Sequence, residues 1–400
     1  MRVLQVLPRY APAWSYGGGV RMFWMLACEL TRLGHEVRVV TSDSINPETR
    51  ASELNETLDG GIQVTRYRNR FNSLSARAGA LFFRPSGMRT GIRRLAEWSD
   101  VIHMGESRGI HNLWAAQAAG STGVPLIWSA YGGLPPARGV RGVYRKVYDV
   151  AFTGSVIPNV GRFVAQTDHE AGVYIAHGAS PSKVRLIPLC VDIHDFVTPP
   201  ERGRFRDRIG VGANDLLVVC VGRLSPVKGM DLLVDAFAKV PAQPKGPYLA
   251  LVGWDHGAEA TLRDQVKRLN LERRVFFPGA LLGDDRMLAY VDADVFALTP
   301  AVYEETSLAA LEASALGIPT VLTHECEIPS MAEAGGGVVV NRSEENVAAA
   351  LSRLFEDSPA RAAMGARARE VVFEQFGVNT IARRHETVFE EVARTSAVRG

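Results

Sequence analysis

The 400-residue sequence has few cysteines and no long hydrophobic run. Its four cysteines, at positions 28, 190, 220 and 326, lie far apart and form no C-x-x-C pair. A metal or redox site built on cysteine is therefore not expected, and we interpret all four as reduced, small hydrophobic residues. No apolar run approaches the ~18 residues that a membrane-spanning helix requires.

The N-terminus lacks the features of a secretory signal. Its apolar stretch ends at Pro8 and Arg9, which makes it too short, although the segment 11–13 (Ala-Pro-Ala) superficially resembles a cleavage site. We therefore expect the chain to remain in the cytoplasm.

The composition is that of a globular protein. Hydrophobic residues make up 46% of the chain and charged residues 22%, which excludes a disordered or fibrous chain. At ~150 residues per domain, this length predicts two or three domains.

Charge is unevenly distributed, although the formal total is only +2. Residues 1–192 carry 22 Lys and Arg against 14 Asp and Glu, a balance of +8, whereas residues 193–400 carry 23 against 29, a balance of −6. The region 61–96 contains eight arginines and no acidic residue. An anionic partner is therefore favoured for the N-terminal half.

Short apolar runs alternate with helical patterns, and the series occurs twice. Runs such as 216–221 are continuous rather than alternating, which is typical of strands in a parallel sheet covered on both faces. We predict strands at 2–8, 36–41, 101–104, 125–131, 163–167, 184–188, 215–224, 247–253, 274–278, 294–299, 319–323 and 337–340. This order predicts an α/β protein with two Rossmann-like, doubly wound parallel sheets.

A polar, proline-rich linker at 193–204 separates the two series. In open α/β sheets, ligands bind at the carboxyl ends of the strands. Functional motifs are therefore expected where strands end and helices begin.

The first such motif is the turn 222–229, Gly-Arg-Leu-Ser-Pro-Val-Lys-Gly. Arg223 and Lys228 are two cations next to a predicted helix N-terminus, and no carboxylate follows before Asp231. The turn predicts an anion site that suits a diphosphate. A solvated basic turn is the alternative.

The second motif follows the strand 294–299. Thr306 or Ser307 can N-cap a helix that extends to about residue 315. Glu312 is flanked by apolar residues, so its carboxylate either faces solvent or needs a partner, which ribose hydroxyls would provide. Glu304 precedes the helix, near its positive end, where backbone N–H groups could face a sugar. The alternative is a capped amphipathic helix with two surface glutamates.

The third motif is the glycine run 17–19 before a predicted helix at 20–33. Gly18 and Gly19 would let the backbone approach a ligand closely. The run is not G-x-G-x-x-G and lies eight residues after the first strand, so a dinucleotide fingerprint is not supported. A flexible turn is the alternative.

Together these motifs resemble those of the retaining GT-B glycosyltransferases of family four, also called group 1. The turn 222–229 is similar to that family's diphosphate-binding turn, and Glu304 with Glu312 to its E-x7-E pattern. The glycine run followed by residues 26–41 resembles its opening. Residues 184–192 resemble its inter-domain segment, and residues 317–319 the strand after its second glutamate.

The resemblance implies a GT-B architecture, with two Rossmann-like domains facing across a cleft. Residues 1–192 plus about 378–400 would form the acceptor-binding domain, and residues 193–377 the sugar-nucleotide-binding domain. The implied reaction moves a hexose from a UDP- or GDP-sugar to a polysaccharide or lipid-linked oligosaccharide, with retention of configuration. It implies no metal and no cofactor other than this donor, and Asp292-Ala-Asp294 is interpreted as the start of a strand.

The resemblance also assigns roles. Arg223 and Lys228 would hold the donor diphosphate and stabilise its growing charge, Glu304 would touch the transferred sugar, and Glu312 would bind the ribose. The loop 277–282 would receive the base. The other implied substrate-binding residues are Gly18, Gly19, Gly222, Glu305, Thr306, Ser307 and Leu308.

Two departures from the family pattern leave the identity of the transferred sugar undetermined. The family commonly has Glu-Gly-Phe-Gly where this chain has residues 304–307. A His-Gly pair is replaced by Tyr131 and Gly132, so Tyr131 is a candidate to replace the histidine. His103 and His111 flank a similar strand end, but lone histidines are more often structural and we assign neither a role.

The arginine-rich region 61–96 also contains apolar residues at 80–83, Met88 and Ile92. With the lipid-linked acceptors common in the family, it favours peripheral association with an anionic inner-membrane surface. A solvated helix face with core residues is the alternative, and no nucleic-acid motif supports binding of nucleic acid.

Other functions remain open at this point. One is a GT-B sugar-nucleotide epimerase or phosphorylase, although the E-x7-E pattern argues against a phosphorylase. Another is a sugar-nucleotide-binding, catalytically impaired assembly subunit.

Overall fold

The chain forms two compact units in a computed structural model that describes residues 1–74, 83–134, 146–242, 246–281, 283–326 and 328–397. Unit 1 comprises Met1–Leu189 and Val378–Gly400, and unit 2 comprises Cys190–Gly377. The division after Leu189 falls just before the linker predicted at 193–204.

Unit 1 is built on a mostly parallel sheet. Its strands are β1 (Arg2–Val6), β2 (Glu36–Ser42), β3 (Asn55–Leu58), β4 (Ile62–Tyr67), β5 (Val101–Gly105), β6 (Leu126–Ser129), β7 (Val160–Ala165) and β8 (Val184–Leu186). Its helices up to this point are α1 (Gly18–Arg32), α2 (Met88–Trp98), α3 (Ile110–Thr122), α4 (Gly154–Val156) and α5 (Asp168–Ala176). The sheet order is β3-β4-β2-β1-β5-β6-β7-β8, and only the pair β3–β4 is antiparallel.

Unit 2 has a fully parallel sheet. Its strands are β9 (Leu217–Val221), β10 (Tyr248–Val252), β11 (Val275–Gly279), β12 (Val295–Leu298), β13 (Thr320–Thr323) and β14 (Gly337–Val340). Its helices are α6 (Arg204–Ile209), α7 (Met230–Ala238), α8 (Glu259–Arg268), α9 (Asp284–Val291), α10 (Leu308–Ala315), α11 (Pro329–Glu333), α12 (Glu344–Glu356) and α13 (Ser358–Gln375). The order β11-β10-β9-β12-β13-β14 places β9 beside β12.

The predicted strands coincide with strands of the two sheets, within a few residues at each end. The side chains of central strands such as β5 and β9 are buried throughout, because helices cover both faces of a parallel sheet. The edge strands β8, β11 and β14 are partly exposed. The sequence prediction missed β3 and β4. Strand β4 alternates buried with more exposed side chains, so no continuous apolar run marks it.

The last helix, α14 (Val378–Ala397), returns to unit 1. Ile381, Ala382 and Phe389 on this helix are completely buried. Polar contacts tie it to the sheet, since Glu391 accepts hydrogen bonds of 2.6 Å from both Arg162 and Arg185. In the part of the chain that the structure describes, no helix is long and apolar enough to cross a membrane.

Candidate active site

The turn 222–229 connects β9 to α7 and carries two of the predicted site residues. Gly229 has a left-handed backbone with φ of 61°, and a Cβ atom there would clash with the carbonyl oxygen of Thr299. Only glycine fits this position. Arg223 is exposed, and it forms no ion pair with any residue that the structure describes. The turn therefore presents an uncompensated guanidinium at the carboxyl edge of the sheet.

Lys228 and Glu304 are brought into contact. The Lys228 ammonium donates a 2.5 Å hydrogen bond to Glu304 Oε1, and both side chains are largely buried. The loops after β9 and β12 are joined further by Thr299 Oγ1 to Gly229 O (2.8 Å) and Ala301 N to Val227 O (3.0 Å). Because β9 and β12 are neighbours, two motifs whose contacting residues are 76 positions apart in sequence form one surface.

Two further residues border this surface, one that the sequence prediction missed and one inside the predicted turn to which it gave no role. Arg342, just after β14, donates from Nε to Pro300 O at 2.8 Å, and its Nη2 lies 3.0 Å from the position of a Cβ on Gly229. Ser225 Oγ is buried and has no hydrogen-bond partner among the residues that the structure describes. Arg342 could not be identified from the sequence, because only the fold places it beside the turn.

The segment after β10 lies against the same turn. Leu224 N donates to Trp254 O and His256 N donates to Leu224 O, each at 2.8 Å. The Trp254 side chain is 56% exposed. Burial and the Arg223 guanidinium lower the pKa of His256, so this imidazole lies in the field of that cation.

Glu312 lies on α10 and is 4% exposed, so it is not a surface glutamate. Its carboxylate pairs with Arg286 Nη2 at 3.0 Å and accepts a 3.0 Å hydrogen bond from the Tyr290 hydroxyl. Both partners lie on α9 and were not identified from the sequence. The carboxylate is therefore held in place by two side chains of a neighbouring helix.

The start of α10 follows the predicted capping pattern. Ser307 is the N-cap and accepts from Ala310 N at 3.4 Å. Glu305, Thr306 and Ser307 are buried, and Leu308 is the first residue of the helix. The side chains of this loop are therefore buried within unit 2, and the N-terminus of α10 lies at the carboxyl edge of the sheet.

The predicted residues of unit 1 form a second group. Gly18 and Gly19 begin α1, after Gly17 with φ of 104°. Tyr131 follows β6 with φ of 47°, and its ring lies 5.4 Å from that of Phe23. A Cβ on Gly19 would lie 3.9 Å from Tyr131 Cδ2, so Gly19 and Tyr131 are neighbours.

His103 and His111 are structural. His103 is completely buried, with Nε2 2.7 Å from Ser129 Oγ. His111 Nε2 lies 3.0 Å from Gly105 O, and burial lowers the pKa of His111 to about 4. Both imidazoles therefore remain neutral near pH 7.

The Asp292-Ala-Asp294 segment also has structural partners. Asp292 accepts hydrogen bonds from the backbone N–H groups of Gly203, Phe205 and Arg206, and Asp294 pairs with the buried Arg206 at 2.8 Å. Among the described residues no group of three or more His, Cys, Asp or Glu side chains could hold a metal ion.

Two sequence predictions need correction or restriction. Phe83, Met88 and Ile92 belong to the core of unit 1, so they do not face a membrane; residues 80–82 lie outside the described residues.

The segment predicted to receive the base begins inside β11 at Phe277, and its residue 282 lies outside the described part.

Two family models match successive parts of the chain. The model described as a glycosyl transferase 4-like domain matches residues 17–190, and the model of glycosyl transferases group 1 matches residues 201–371.

Known proteins of similar sequence or structure agree with these matches. A D-inositol 3-phosphate glycosyltransferase of Kineococcus radiotolerans is 34% identical over 232 residues, which is 53% of each chain. A GDP-mannose-dependent alpha-(1-6)-phosphatidylinositol monomannoside mannosyltransferase of Mycobacterium tuberculosis is 32% identical over 50% of this chain and 54% of its own. The chain thus spans about half the length of these relatives. The solved structure of Anabaena Alr3699/HepE in complex with UDP has a TM-score of 0.77 at 20% identity, with 98% of this chain and 100% of that chain covered.

Proposed function

Because the chain belongs to the group 1 glycosyltransferases and has their GT-B fold, we propose that it transfers a hexose from a nucleotide-diphosphate sugar. The acceptor in this proposal is a polysaccharide or lipid-linked oligosaccharide, and the anomeric configuration is retained. The observation that carries the proposal is the contact between Lys228 and Glu304, which joins the loop after β12 to the turn that also carries the exposed Arg223.

Cations at this surface suit a leaving diphosphate. As the bond from the sugar to the phosphate oxygen breaks, negative charge grows on the diphosphate while the sugar becomes oxocarbenium-like. Arg223 makes no ion pair with a described residue, so its guanidinium is available to bind phosphate oxygens in a bidentate manner. Lys228, held by Glu304 at 2.5 Å, supplies the second charge.

We propose that these two side chains perform the charge stabilisation that a divalent metal performs in other transferases. Transfer should therefore proceed at an unchanged rate in excess chelator.

Glu304 and the start of α10 would receive the transferred sugar, and Glu312 the ribose. Glu305 and Ser307 stand where the family commonly has glycines, so the space beside the sugar differs from that of most members. The proposal does not choose between uracil and guanine as the base of the donor nucleotide, because HepE was crystallised with UDP whereas the mycobacterial relative is GDP-mannose-dependent.

A donor panel tests this function directly. The full chain would first be screened by thermal shift against UDP- and GDP-linked glucose, galactose and mannose, and donors that stabilise it would be incubated, isotopically labelled, with lipid and glycan extracts. Transfer of label with retained configuration supports the proposal. Donor binding without transfer favours an assembly subunit, and conversion of the donor without an acceptor favours an epimerase.

We propose further that unit 1 associates with an anionic membrane surface. Arg66 is buried against Glu56, but six arginines in the described part of the region are exposed: Arg68, Arg70, Arg84, Arg89, Arg93 and Arg94. Nearby in the chain, Phe71 and Leu74 are 49% and 44% exposed. Such a combination of cations and apolar side chains suits a lipid headgroup region.

A further inference from the structure

The hydrogen-bond ladder between β9 and β10 continues past the two strands. Leu224 pairs with Asp255 in the register that the strands have in the sheet. The contacts are hydrogen bonds of 2.8 Å from Leu224 N to Trp254 O and from His256 N to Leu224 O. The segment after β10 is therefore held in a fixed register beside the turn 222–229.

Arg223 and His256 lie on one side of this extended ladder. In extended chains, successive side chains point to opposite sides. On the other side, Leu224 is buried and Asp255 accepts hydrogen bonds from the backbone N–H groups of residues 257–259. Arg223 and His256 are the chain neighbours of these two residues, and both are exposed. The register thus brings the imidazole to the same surface as the guanidinium that we assign to the diphosphate.

The imidazole of His256 is available to a ligand. Its ring nitrogens form no hydrogen bond with any residue that the structure describes. Two charged groups act on the ring, Arg223 from the turn and Asp255 from its own segment. Burial and the Arg223 guanidinium lower the pKa of His256, and Asp255 opposes this shift. Because the pKa falls below the ~6.5 of an ordinary histidine, the imidazole is mostly neutral at pH 7 in the unliganded protein.

A diphosphate at Arg223 would change the electrostatic field at His256. The esterified phosphates of a nucleotide sugar are both negatively charged, and nearby negative charge raises the pKa of an imidazole. A protonated imidazole can then donate a charge-assisted hydrogen bond to a phosphate oxygen. By linkage, a ligand that strengthens proton binding is itself bound more tightly when the proton is present.

We propose that His256 is a further donor-binding residue, which takes up a proton from solvent when the diphosphate binds and donates a hydrogen bond to a phosphate oxygen. The proposal rests on the proposed function above and adds a pH dependence to its donor site. Affinity for the donor should increase as the pH falls through the pKa of His256 in the complex, and should level off below the pKa of His256 in the free protein.

The test is a calorimetric titration of the full chain with UDP-glucose and with GDP-mannose at pH 8, 7 and 6, each in two buffers of different ionisation enthalpy. The phosphates of these probes are esterified and do not titrate near neutral pH, unlike the terminal phosphate of UDP, whose pKa is about 6. We expect the affinity of the wild type at pH 6 to exceed that at pH 8 by about threefold or more, with net proton uptake on binding.

Two variants of His256 separate its charge from its shape. His256→Gln should bind the donor with an affinity that does not change with pH and with no proton uptake. His256→Lys carries a permanent charge, so its affinity should stay near the value of the wild type at pH 6 throughout the range. The controls are His194→Gln and His324→Gln at the other two histidines of unit 2, both exposed, and each should keep the pH dependence of the wild type.

A wild-type affinity that is independent of pH, or a pH dependence that persists in His256→Gln, overturns the proposal. A dependence that is lost in His324→Gln but kept in His256→Gln also overturns it. In each of these cases the donor still binds, so the proposed function stands. If neither nucleotide sugar binds at any pH, the proposed function itself is contradicted, and the role of His256 with it.

Discussion

Single residues determine how a donor diphosphate would be held in unit 2. Arg223 is exposed without an ion pair to a described residue, whereas Lys228 is already in contact with Glu304. We predict that Arg223→Ala and Lys228→Ala each weaken nucleoside-diphosphate binding by about 1.5–3 kcal/mol, the range of a lost charge-assisted hydrogen bond. Isothermal titration with UDP and GDP measures this.

The matched control is Arg268→Ala, an exposed arginine of α8. Its affinity should equal that of the wild type. Unchanged affinity in both Arg223→Ala and Lys228→Ala would remove the basis of the assignment.

Gly229 is the second residue on which the turn depends. Its left-handed backbone and its contact with the Thr299 carbonyl leave no room for a side chain. Gly229→Ala should lower the free energy of unfolding of unit 2 by ~1–3 kcal/mol and weaken UDP binding, as followed by thermal melting and titration. The control is Gly172→Ala, where open space surrounds the Cβ position, and it should cause neither change. If Gly229→Ala changes neither the melting temperature nor the affinity for UDP, the turn tolerates a side chain at this position.

At the scale of elements, continuous apolar runs predicted the central strands because both faces of those strands are buried. Strand β4 could not be found in this way, since its side chains alternate between buried and more exposed positions. At the site, residue type narrowed the cap of α10 to Thr306 or Ser307, and the structure places it at Ser307. The partners of Glu312, Arg286 and Tyr290, could not be predicted, because they come from a different helix and only the packing of α9 against α10 brings them together.

Helix α14 carries a buried histidine that makes the packing of this helix in unit 1 sensitive to acid. His385 is completely buried beside His103, with ring centres 5.4 Å apart, and neither nitrogen of the His385 ring has a hydrogen-bond partner within the described part of the chain. Burial lowers the pKa of His385 to about 3, below the ~6.5 of an unfolded histidine. Between these values the unfolded chain binds more protons, so the free energy of unfolding must fall as the pH decreases from about 6.5 towards 3.

We therefore predict that the melting temperature falls steadily between pH 6.5 and 4, and that His385→Leu makes this decrease shallower. Circular dichroism melts at half-unit pH intervals measure the slope. His194→Gln, at an exposed histidine, should keep the wild-type slope. If His385→Leu also keeps the wild-type slope of melting temperature against pH, protonation of His385 does not destabilise the protein.

At the scale of the whole molecule, charge differs between the two halves of the chain, at +8 for residues 1–192 and −6 for residues 193–400. We predict that the protein sediments with vesicles containing 30% anionic lipid at low salt and is released at 0.5 M salt, because exposed charges are screened there. Arg89→Glu with Arg93→Glu, both exposed on α2, should reduce the bound fraction severalfold, whereas Arg268→Glu should not. No binding at low salt would contradict membrane association.

The central claim is that one guanidinium and one ammonium of unit 2 hold the donor's diphosphate. A crystal structure of the protein with UDP or GDP bound tests it most directly. The account predicts phosphate oxygens within hydrogen-bond distance of both the Arg223 guanidinium and the Lys228 ammonium, with the ribose near Glu312. A diphosphate bound away from both cations would contradict it.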